Sequence, residues 1–339
     1  MSRVWNPPNR FDPVEITWDE PPPTAELELI EDDSQDVLSH NDSPDLGFSW
    51  SVNPYRGCTH ACAYCYARPY HEYLGMGAGS DFERKIVVKR RAAELLAAAF
   101  ARRSWKGELV SFSGVTDCYQ PLERRFGLTR DCLAVCADHL NPVSIITRSP
   151  LVTRDLDLLG ALAAHGAAAV TFSIPIGDRE VQKRIEPGAP PPEARLAAMR
   201  ALSEAGIPVG LSLGPILPGL SDAGIPDVLE RARDAGAAWV WAGLVRLPGA
   251  VAVVFEQRLR EAMPNRADGV LARIRRMRGG SLNDGRFGHR MTGPAEDAGW
   301  ATIDQLLTVW KRRLGYADRW IGPTPSPFRR PTPQLGLFG

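Results

Sequence analysis

Long hydrophobic runs are missing from this sequence, and so is an excess of charge of either sign. No stretch approaches eighteen uninterrupted apolar residues, so we expect no membrane span. The first thirteen residues contain no apolar segment of the kind that directs export, so the expected compartment is the cytoplasm. Forty Lys and Arg residues balance forty Asp and Glu residues, which argues against a protein that coats nucleic acid throughout. The 339 residues suffice for one large domain or two modest ones.

Cysteine is also scarce. Six cysteines in a chain of this length are too few for a disulfide scaffold. In a reducing compartment each of them is therefore a core residue, a metal ligand or a reactive thiol. Three of the six, Cys58, Cys62 and Cys65, stand within eight residues, and this density indicates a functional site.

Charge is balanced over the whole chain but not within its parts. Residues 1–48 contain twelve acidic residues against Arg3 and Arg10, together with clustered prolines, so we expect residues 1–46 to be mostly disordered. Residues 258–290 contain nine arginines against three acidic residues. This stretch is either a solvated helix face or a surface that meets a polyanion, which the acidic N-terminal segment would shield.

Between these segments, short β-branched runs alternate with helical stretches rich in Ala, Leu and Arg. We predict strands at residues 49–53, 108–113, 143–147, 168–174, 207–213 and 238–244, with helices near 67–76, 89–104, 128–140, 153–166, 191–205 and 222–236. This alternation predicts an α/β fold with a parallel sheet and right-handed crossovers. An open doubly wound sheet and a curved partial barrel both fit the pattern. In either fold, chemistry is expected in the loops at the carboxyl ends of the strands.

The loop after the first predicted strand carries the clustered cysteines with the spacing C-x3-C-x2-C. A structural zinc site needs a fourth ligand, for which His60 is the nearby candidate. Ordinary ferredoxin-type clusters also use four thiolates. Three thiolates without a fourth would leave one iron of a [4Fe–4S] cluster open to a ligand from outside the protein. Three unrelated buried cysteines are a further alternative.

This spacing, with Tyr64 before the last cysteine, resembles the signature of radical SAM enzymes. The resemblance extends over roughly residues 47–250. Further segments are similar to the branch that contains spore photoproduct lyase and its uncharacterised bacterial relatives, namely residues 115–123, 147–157, 186–190, 206–210 and 215–220.

The resemblance implies a fold, two cofactors and a reaction. The implied fold is α/β, a partial (βα)6 barrel at residues 47–250. Composition adds three flanking segments to it: an acidic and mostly disordered segment at 1–46, a helical, arginine-rich extension at 251–320 and a proline-rich tail at 321–339. The implied cofactors are a [4Fe–4S] cluster held by Cys58, Cys62 and Cys65, and S-adenosylmethionine, which binds the open iron. In the family the cluster donates one electron, S-adenosylmethionine is cleaved, and a 5′-deoxyadenosyl radical abstracts hydrogen. An electron donor such as flavodoxin or ferredoxin is then an expected partner.

The resemblance also implies cofactor contacts near the strand ends. The candidates are Tyr64, Ser113, Thr116, Asp117, Ser173 and Arg184. Ser113, Thr116 and Asp117 replace a Gly-Gly-Glu-like segment that holds the cofactor's ammonium group in relatives, although Asp117 can instead cap the next turn. Arg184 suits a bidentate contact with the cofactor carboxylate, although it can also pair with Glu180.

Cys118 is the candidate catalytic residue. Photoproduct lyases use a cysteine near this loop to return hydrogen to the product radical. Theirs precedes the polar pair, whereas Cys118 follows it, and the alternative is a buried small residue. Cys132, Cys136 and His139 share one helix face, where core packing is favoured over metal binding.

The C-terminal tail suggests a further partner. After five prolines between residues 323 and 333, the chain ends in QLGLFG. This string resembles the Q-L-x-L-F peptide by which bacterial polymerases and repair factors dock on the DNA sliding clamp. The implied contacts are Gln334, Leu335, Leu337 and Phe338. The alternative is a tail that folds back onto the domain.

Together these features predict a radical SAM enzyme of the photoproduct-lyase-like branch that acts on DNA damage. Two alternatives stay open. One is radical SAM modification of a peptide or an RNA, and the other is a non-catalytic iron–sulfur or zinc adaptor of the replication machinery.

Overall fold

The computed structural model describes residues 3–11, 19–43, 47–112, 114–285, 292–293 and 297–330. Its strands are β1 Glu28–Glu31, β2 Leu38–His40, β3 Trp50–Val52, β4 Tyr55–Arg56, β5 Lys85–Val88, β6 Val110–Phe112, β7 Val143–Thr147, β8 Ala168–Ser173, β9 Val209–Ser212 and β10 Trp239–Trp241. Its α-helices are α1 Ser80–Arg84, α2 Ala92–Ala101, α3 Glu123–Phe126, α4 Leu128–Asp138, α5 Leu156–Ala163, α6 Arg179–Ile185, α7 Pro192–Glu204, α8 Ile225–Asp234, α9 Ala250–Ala262, α10 Pro264–Met277 and α11 Ala298–Leu314. The predicted helix near 67–76 is instead two 3-10 turns, Arg68–Tyr70 and Glu72–Leu74.

The main sheet contains the six predicted strands as parallel neighbours. Their order across the sheet, β3-β6-β7-β8-β9-β10, is the same as their order along the chain. A doubly wound sheet reverses direction at a switch point, and this order contains no reversal. Since every right-handed crossover advances the same way, all the connecting helices fall on one face. The α/β prediction is confirmed, and the strand order selects the partial barrel over the doubly wound sheet.

The two faces of this sheet differ in chemistry. One face, which includes Val110, Phe112 and Ile145, packs against the helices in the largest hydrophobic cluster. The alternate positions point the other way. From β3 to β9 these positions carry mostly small or polar side chains, at Ser51, Ser111, Ser144, Ala169, Thr171, Ser173, Gly210 and Ser212. The large apolar residues on this face are Ile146 of β7 and Trp239 and Trp241 of β10. The small, polar part of this face leaves room for a ligand inside the barrel, because large apolar residues normally fill that space.

The N-terminal segment departs from the expectation of disorder within its described residues. Strand β1 adds in parallel to β5 of a small sheet, and β2 pairs antiparallel with the edge strand β3. Val37 is buried at 2% exposure, and Leu29 packs against the cluster around Tyr55. The acidic composition did not reveal these strands because the pairing is by backbone groups, which composition does not record.

The C-terminal helices continue the barrel core. Residues Trp300, Ile303 and Leu307 of α11 lie in the main hydrophobic cluster, and the Tyr316 hydroxyl donates to the Leu229 carbonyl in the middle of α8. Beyond α11, the Ala317 amide donates to the Ala238 carbonyl at 2.9 Å. The extension therefore covers the free edge of β10.

The described part of the proline-rich tail, residues 321–330, lies against the outer helices. The Phe328 ring stacks on His139 with ring centroids 5.8 Å apart, and the Arg329 amide donates to the His139 carbonyl. Arg330 Nη2 donates to three backbone carbonyls, those of Arg102, Arg103 and Trp105. The predicted clamp contacts Gln334, Leu335, Leu337 and Phe338 lie outside the described residues.

The arginine-rich helix α10 is a partly neutralised surface. Arg275 pairs with Glu256 and Arg276 with Asp297, while Arg278 is buried and donates to backbone carbonyls. These pairs favour the solvated helix face over a polyanion surface. Within the described residues, none of the helices combines the length and the apolar character that spanning a lipid bilayer requires.

Candidate functional site

The cysteine loop, residues 57–66, follows strand β4 at the carboxyl edge of the first strand of the main sheet. Cys58 and Cys62 are 7% and 5% exposed, and Cys65 is half-buried. The Cys58 amide donates to the Phe82 carbonyl at 2.9 Å, and Ala61 adopts a positive φ of 55° that turns the chain between the first two cysteines. The loop therefore has a defined backbone shape that brings three thiols into one region.

Gln120 and Thr116 hold this loop from the β6 side. Gln120 Oε1 accepts from the Thr59 amide, and its Nε2 donates to the Gly57 carbonyl, both at 3.1 Å. The Thr116 hydroxyl donates to the same Gly57 carbonyl at 2.7 Å and accepts from Gln120. Thr116, predicted as a cofactor contact, is thus committed to the loop backbone. Gln120 positions the same loop through its side-chain amide.

Asp117 joins the ends of two strands. Its Oδ1 accepts from the Thr147 hydroxyl and the Tyr119 amide, and its Oδ2 accepts from the Arg148 amide at 2.7 Å. His60 Nδ1 lies 3.4 Å from Oδ2. The carboxylate therefore caps its own turn, as the alternative expectation had it, and ties the cysteine loop to β7.

A buried ionic network lies beneath the loop. Glu186 is fully buried and accepts hydrogen bonds from the Tyr64 hydroxyl and from Arg195, which is fully buried too. Arg148 approaches the same carboxylate at 3.5 Å. Burial alone would raise the pKa of Glu186, but the guanidinium groups of Arg195 and Arg148 outweigh burial and lower its pKa. Ser173, a predicted contact, meets this network through its carbonyl, which accepts from Arg195 at 2.8 Å.

The segment after Glu186 touches the cysteine loop directly. The Gly188 amide donates to the His60 carbonyl at 3.0 Å, and a Cβ at Gly188 would lie 2.1 Å from the Thr59 carbonyl oxygen. Only glycine fits this approach. The Glu-Pro-Gly motif that carried part of the family resemblance therefore contacts the cysteine loop twice. Glu186 binds the Tyr64 hydroxyl, and Gly188 binds the His60 carbonyl.

Arg184 is not brought to the site. It lies on the exposed face of α6 and donates to the Ala262 carbonyl at 3.0 Å, rather than pairing with Glu180. Val181, Gln182 and Ile185 form the buried face of this helix, which turns position 184 outward. The arginines that do reach the site are Arg148 and Arg195. Ser113 lies outside the described residues.

Cys118 lies in the hydrophobic core rather than at the mouth of the site. It is 0% exposed, and its thiol donates to the Phe112 carbonyl at 3.5 Å. This placement matches the alternative, a buried small residue, and the role of hydrogen donor stays a prediction. Cys132 and Cys136 are equally buried core residues, and His139 packs against aromatic rings.

Several buried polar atoms around the cysteine loop have no hydrogen bond within the described residues. They are Thr59 Oγ1, both ring nitrogens of His60, Arg148 Nε and Ser111 Oγ. Such atoms are costly unless a further group satisfies them. Their concentration around three thiols fits a polar group bound at the loop.

The donor set fits an iron–sulfur cluster with three protein ligands. Among the described residues, no three His, Cys, Asp or Glu side chains converge to hold a single metal ion. A four-iron cluster does not require such convergence, because each cysteine binds a different iron. Burial, and after it the Asp117 carboxylate, raises the pKa of Cys58 to about 12, and burial raises that of Cys62 well above its usual value. Iron must therefore displace the protons of these thiols when it binds.

Residues 52–232 match the family described as the Radical SAM superfamily. The chain belongs to the radical SAM superfamily. Membership supports both predicted cofactors, a [4Fe–4S] cluster and S-adenosylmethionine, and the matched residues include the cysteine loop.

The relatives of this radical SAM protein are themselves uncharacterised. It is 38% identical over 221 residues to an uncharacterised protein of Mycobacterium tuberculosis, covering 65% of each chain. It is 32% identical over 198 residues to an uncharacterised protein of Methanocaldococcus jannaschii, covering 58% of this chain and 71% of the other. The chain thus spans about two thirds (65%) of the length of the mycobacterial relative.

Among solved structures, the fold is similar to that of spore photoproduct lyase. One cysteine-to-serine variant of that enzyme superposes with a TM-score of 0.62 at 18% identity, covering 85% of this chain and 80% of the other. A second variant, solved with bound AdoMet and dinucleoside spore photoproduct, gives a TM-score of 0.62 at 17% identity, covering 86% of this chain and 80% of the other. This likeness confirms the predicted fold.

Proposed function

We propose that this radical SAM protein holds a [4Fe–4S] cluster with Cys58, Cys62 and Cys65, binds S-adenosylmethionine at the remaining iron, and acts on damaged DNA. One observation carries the proposal: three thiols share a loop at the carboxyl edge of a sheet whose inner face is mostly small and polar from β3 to β9. When bound, the two cofactors supply a one-electron cleavage that yields the 5′-deoxyadenosyl radical.

The chain's own residues have supporting roles in this proposal. Gln120 and Asp117 fix the loop, and Glu186 holds the Tyr64 hydroxyl in place. Arg148 is the guanidinium best suited to the S-adenosylmethionine carboxylate, because it follows β7 directly and its Nε has no hydrogen bond within the described residues. Arg148 thereby replaces Arg184, which faces outward.

The inner face of the sheet offers a site for a planar substrate. Trp241 is 42% exposed although it lies on a strand of the main sheet, and a Cβ at Gly214 would lie 2.0 Å from its ring. The indole is therefore fixed against backbone on one side and free on the other. Ile146, on the central strand β7, is 36% exposed on the same face. Exposed aromatic rings stack nucleobases, which supports a nucleic-acid substrate with an unstacked base.

The solved relatives support DNA damage as the substrate class. Spore photoproduct lyase has been solved with dinucleoside spore photoproduct. We extend that class of substrate to this chain as part of the proposal, on the likeness of fold and the open inner face.

Anaerobic reconstitution with iron and sulfide, followed by detection of 5′-deoxyadenosine after reduction with dithionite, tests the cofactor chemistry. We expect Cys58→Ala to abolish both iron uptake and the product. Cys136→Ala is the matched control, because Cys136 is a buried core thiol away from the loop, and it should retain both. Zinc without iron in the purified wild-type protein would contradict the proposal and favour the adaptor alternative.

Isotope transfer tests the substrate. Irradiated oligonucleotides deuterated at thymine should transfer deuterium into 5′-deoxyadenosine, whereas undamaged oligonucleotides should not. Trp241→Ala should weaken binding of the damaged oligonucleotide, and Trp241→Phe should retain most of it, since stacking contributes about 1–3 kcal/mol per base. Transfer from a peptide or an RNA, with none from DNA, would replace DNA by the other substrate class.

Two partners complete the proposal. The C-terminal peptide, residues 334–338, is proposed to dock on the bacterial sliding clamp, and flavodoxin or ferredoxin is proposed as the electron donor. Residues 321–330 lie against the outer helices, as the alternative of a folded-back tail expects, so the clamp proposal rests on the sequence of residues 334–338. Deleting residues 334–338 should abolish binding to an immobilised clamp, and unchanged binding would contradict it.

A further inference from the structure

Arg68 is a charged side chain with no exposed surface. It is 0% exposed, yet all five of its N–H groups find acceptors. Nε and Nη2 both donate to the Cys62 carbonyl, at 3.2 and 2.8 Å. Nη1 donates to the carbonyls of Ala78 and Gly79, and the second Nη2 proton goes to Glu83 at 2.7 Å. The guanidinium thus joins the backbone of a predicted cluster ligand to the loop before α1.

The charge of Arg68 is only partly neutralised. The Glu83 side chain is 3% exposed. Its two carboxylate oxygens also accept from Arg258 Nη2 of α9, each at 3.0 Å. One buried carboxylate therefore serves two guanidinium groups, which leaves an excess positive charge beside the cysteine loop. In a weakly screened interior, that charge acts on nearby groups more strongly than it would in water.

The carbonyls that hold Arg68 are themselves oriented from the N-terminal segment. Asn6 Oδ1 accepts from the amides of Gly79 and Asp81, and the Ser80 amide donates to the Trp5 carbonyl at 2.8 Å. A chain of hydrogen bonds therefore runs from residues 5–6 through the loop at 78–81 to Arg68 and on to Cys62.

We infer that Arg68 is a positioning residue for the cluster, which fixes the backbone at Cys62 and stabilises the reduced cluster by its charge. The inference rests on the proposed function, since it requires a cluster at the loop. Reduction adds one electron from an external reductant to the cluster, so the site becomes more negative. A fixed positive charge next to it favours the reduced state, and its removal makes the midpoint potential more negative. Groups behind the ligands tune metal sites in this way.

The test uses full-length protein reconstituted without S-adenosylmethionine, so that no turnover is involved. Two properties are measured: the midpoint potential, by dithionite titration followed by electron paramagnetic resonance, and the rate of iron loss to a chelator. Arg68→Met should lose iron about 10- to 100-fold faster and shift the potential negative. Arg68→Lys keeps the charge but cannot make the forked contact with the Cys62 carbonyl. It should lose iron faster while the potential stays closer to that of the wild type.

The sign of the potential separates electrostatics from packing. Glu83→Gln removes the shared negative charge and should shift the potential positive, opposite to Arg68→Met. Arg258→Met should shift it negative by less, because Arg258 reaches the loop only through Glu83. Arg90→Met is the matched control, since Arg90 is half-exposed and pairs with Glu31 at the surface; it should change neither property.

Two results would overturn the inference. The first is a midpoint potential and an iron-loss rate that are unchanged in both Arg68 variants. The second is a shift of the potential with the same sign in Arg68→Met and Glu83→Gln, which would indicate that both changes merely disturb the packing around the cysteine loop. If Arg68→Met does not fold, Arg68→Lys and Arg258→Met carry the test. A wild-type protein that takes up no iron overturns the proposed function as well, whereas a stable cluster indifferent to Arg68 overturns this inference alone.

Discussion

The buried carboxylate of Glu186 gives the most demanding test of the site described above. Changing it to Gln keeps the shape of the side chain and removes its charge. Arg195 is fully buried, so the change leaves a guanidinium in the interior whose acceptors, the carbonyls of Pro190 and Ser173 and the introduced amide oxygen, are all uncharged. Removing one partner of a buried ion pair costs about 3–5 kcal/mol. We therefore expect Glu186→Gln to lose about 3–5 kcal/mol of the free energy of unfolding in urea.

The matched control for this change is Glu193→Gln. Glu193 is half-exposed and pairs with Arg231 at 3.3 Å on the protein surface, and such exposed pairs contribute about 0–1 kcal/mol. The double variant Glu186→Gln with Arg195→Met should recover part of the loss, because it removes the unpaired buried charge. A loss below about 1 kcal/mol for Glu186→Gln, equal to that of the control, would refute the buried-pair argument.

The pH dependence of the same pair has a definite sign. The arginines hold the pKa of Glu186 below its ordinary value of 4.5. The folded state therefore binds this proton less readily than the unfolded state, and the pair stabilises the fold fully above that ordinary value. The stability difference between wild type and Glu186→Gln should shrink as the pH falls below 4.5 and through the lowered pKa. A difference that stays constant down to the acid transition would contradict this reasoning.

Other side chains give shorter tests. Gln120→Ala should lower iron content after reconstitution, because the Thr59 amide and the Gly57 carbonyl each lose their hydrogen bond to the Gln120 side chain. Wild-type iron content in this variant would contradict the loop-holding role. Cys118→Ala should fold and still form 5′-deoxyadenosine and product, whereas specific loss of hydrogen return to the product would restore it as a hydrogen donor. Phe328→Ala should make the tail sensitive to limited proteolysis near residue 330 while the barrel stays intact, and unchanged resistance would argue against its anchoring role. Arg184→Ala should leave S-adenosylmethionine affinity unchanged, since it faces solvent; a loss of tenfold or more would bring it back to the site.

Much of the fold could be predicted because its signals are local. The strand at Val143–Thr147 is predicted to the residue, and the other five parallel strands overlap their predicted ranges. The order of the strands across the sheet is not a local property. It depends on where each connecting helix returns the chain to the sheet, and the hydrophobic periodicity of a segment does not contain that information. The family resemblance resolved this point where residue patterns left two folds open.

Less of the candidate site than of the fold could be predicted from the sequence. The cysteines were predictable because three thiols at close spacing are rare. The residues that hold the loop, Gln120 and Arg68, bind backbone carbonyls, and such contacts leave no pattern in a sequence. Arg184 could have been placed correctly, since the apolar positions Val181 and Ile185 already show which face of α6 is buried. The sequence left two alternatives for Cys118 because nothing local distinguishes a core thiol from one that lines a cavity.

The two short strands before residue 46 matter to anyone who trims this chain. A shortened protein that begins at residue 47 would look reasonable from composition, yet it would strip β2 from the main sheet and β1 from the small one. The bare flanks of β3 and β5 would then be open to pairing with other copies, which promotes aggregation. Precipitation of such a truncated protein during expression would reflect the loss of these strand pairings, and it would say nothing about the stability of the full chain.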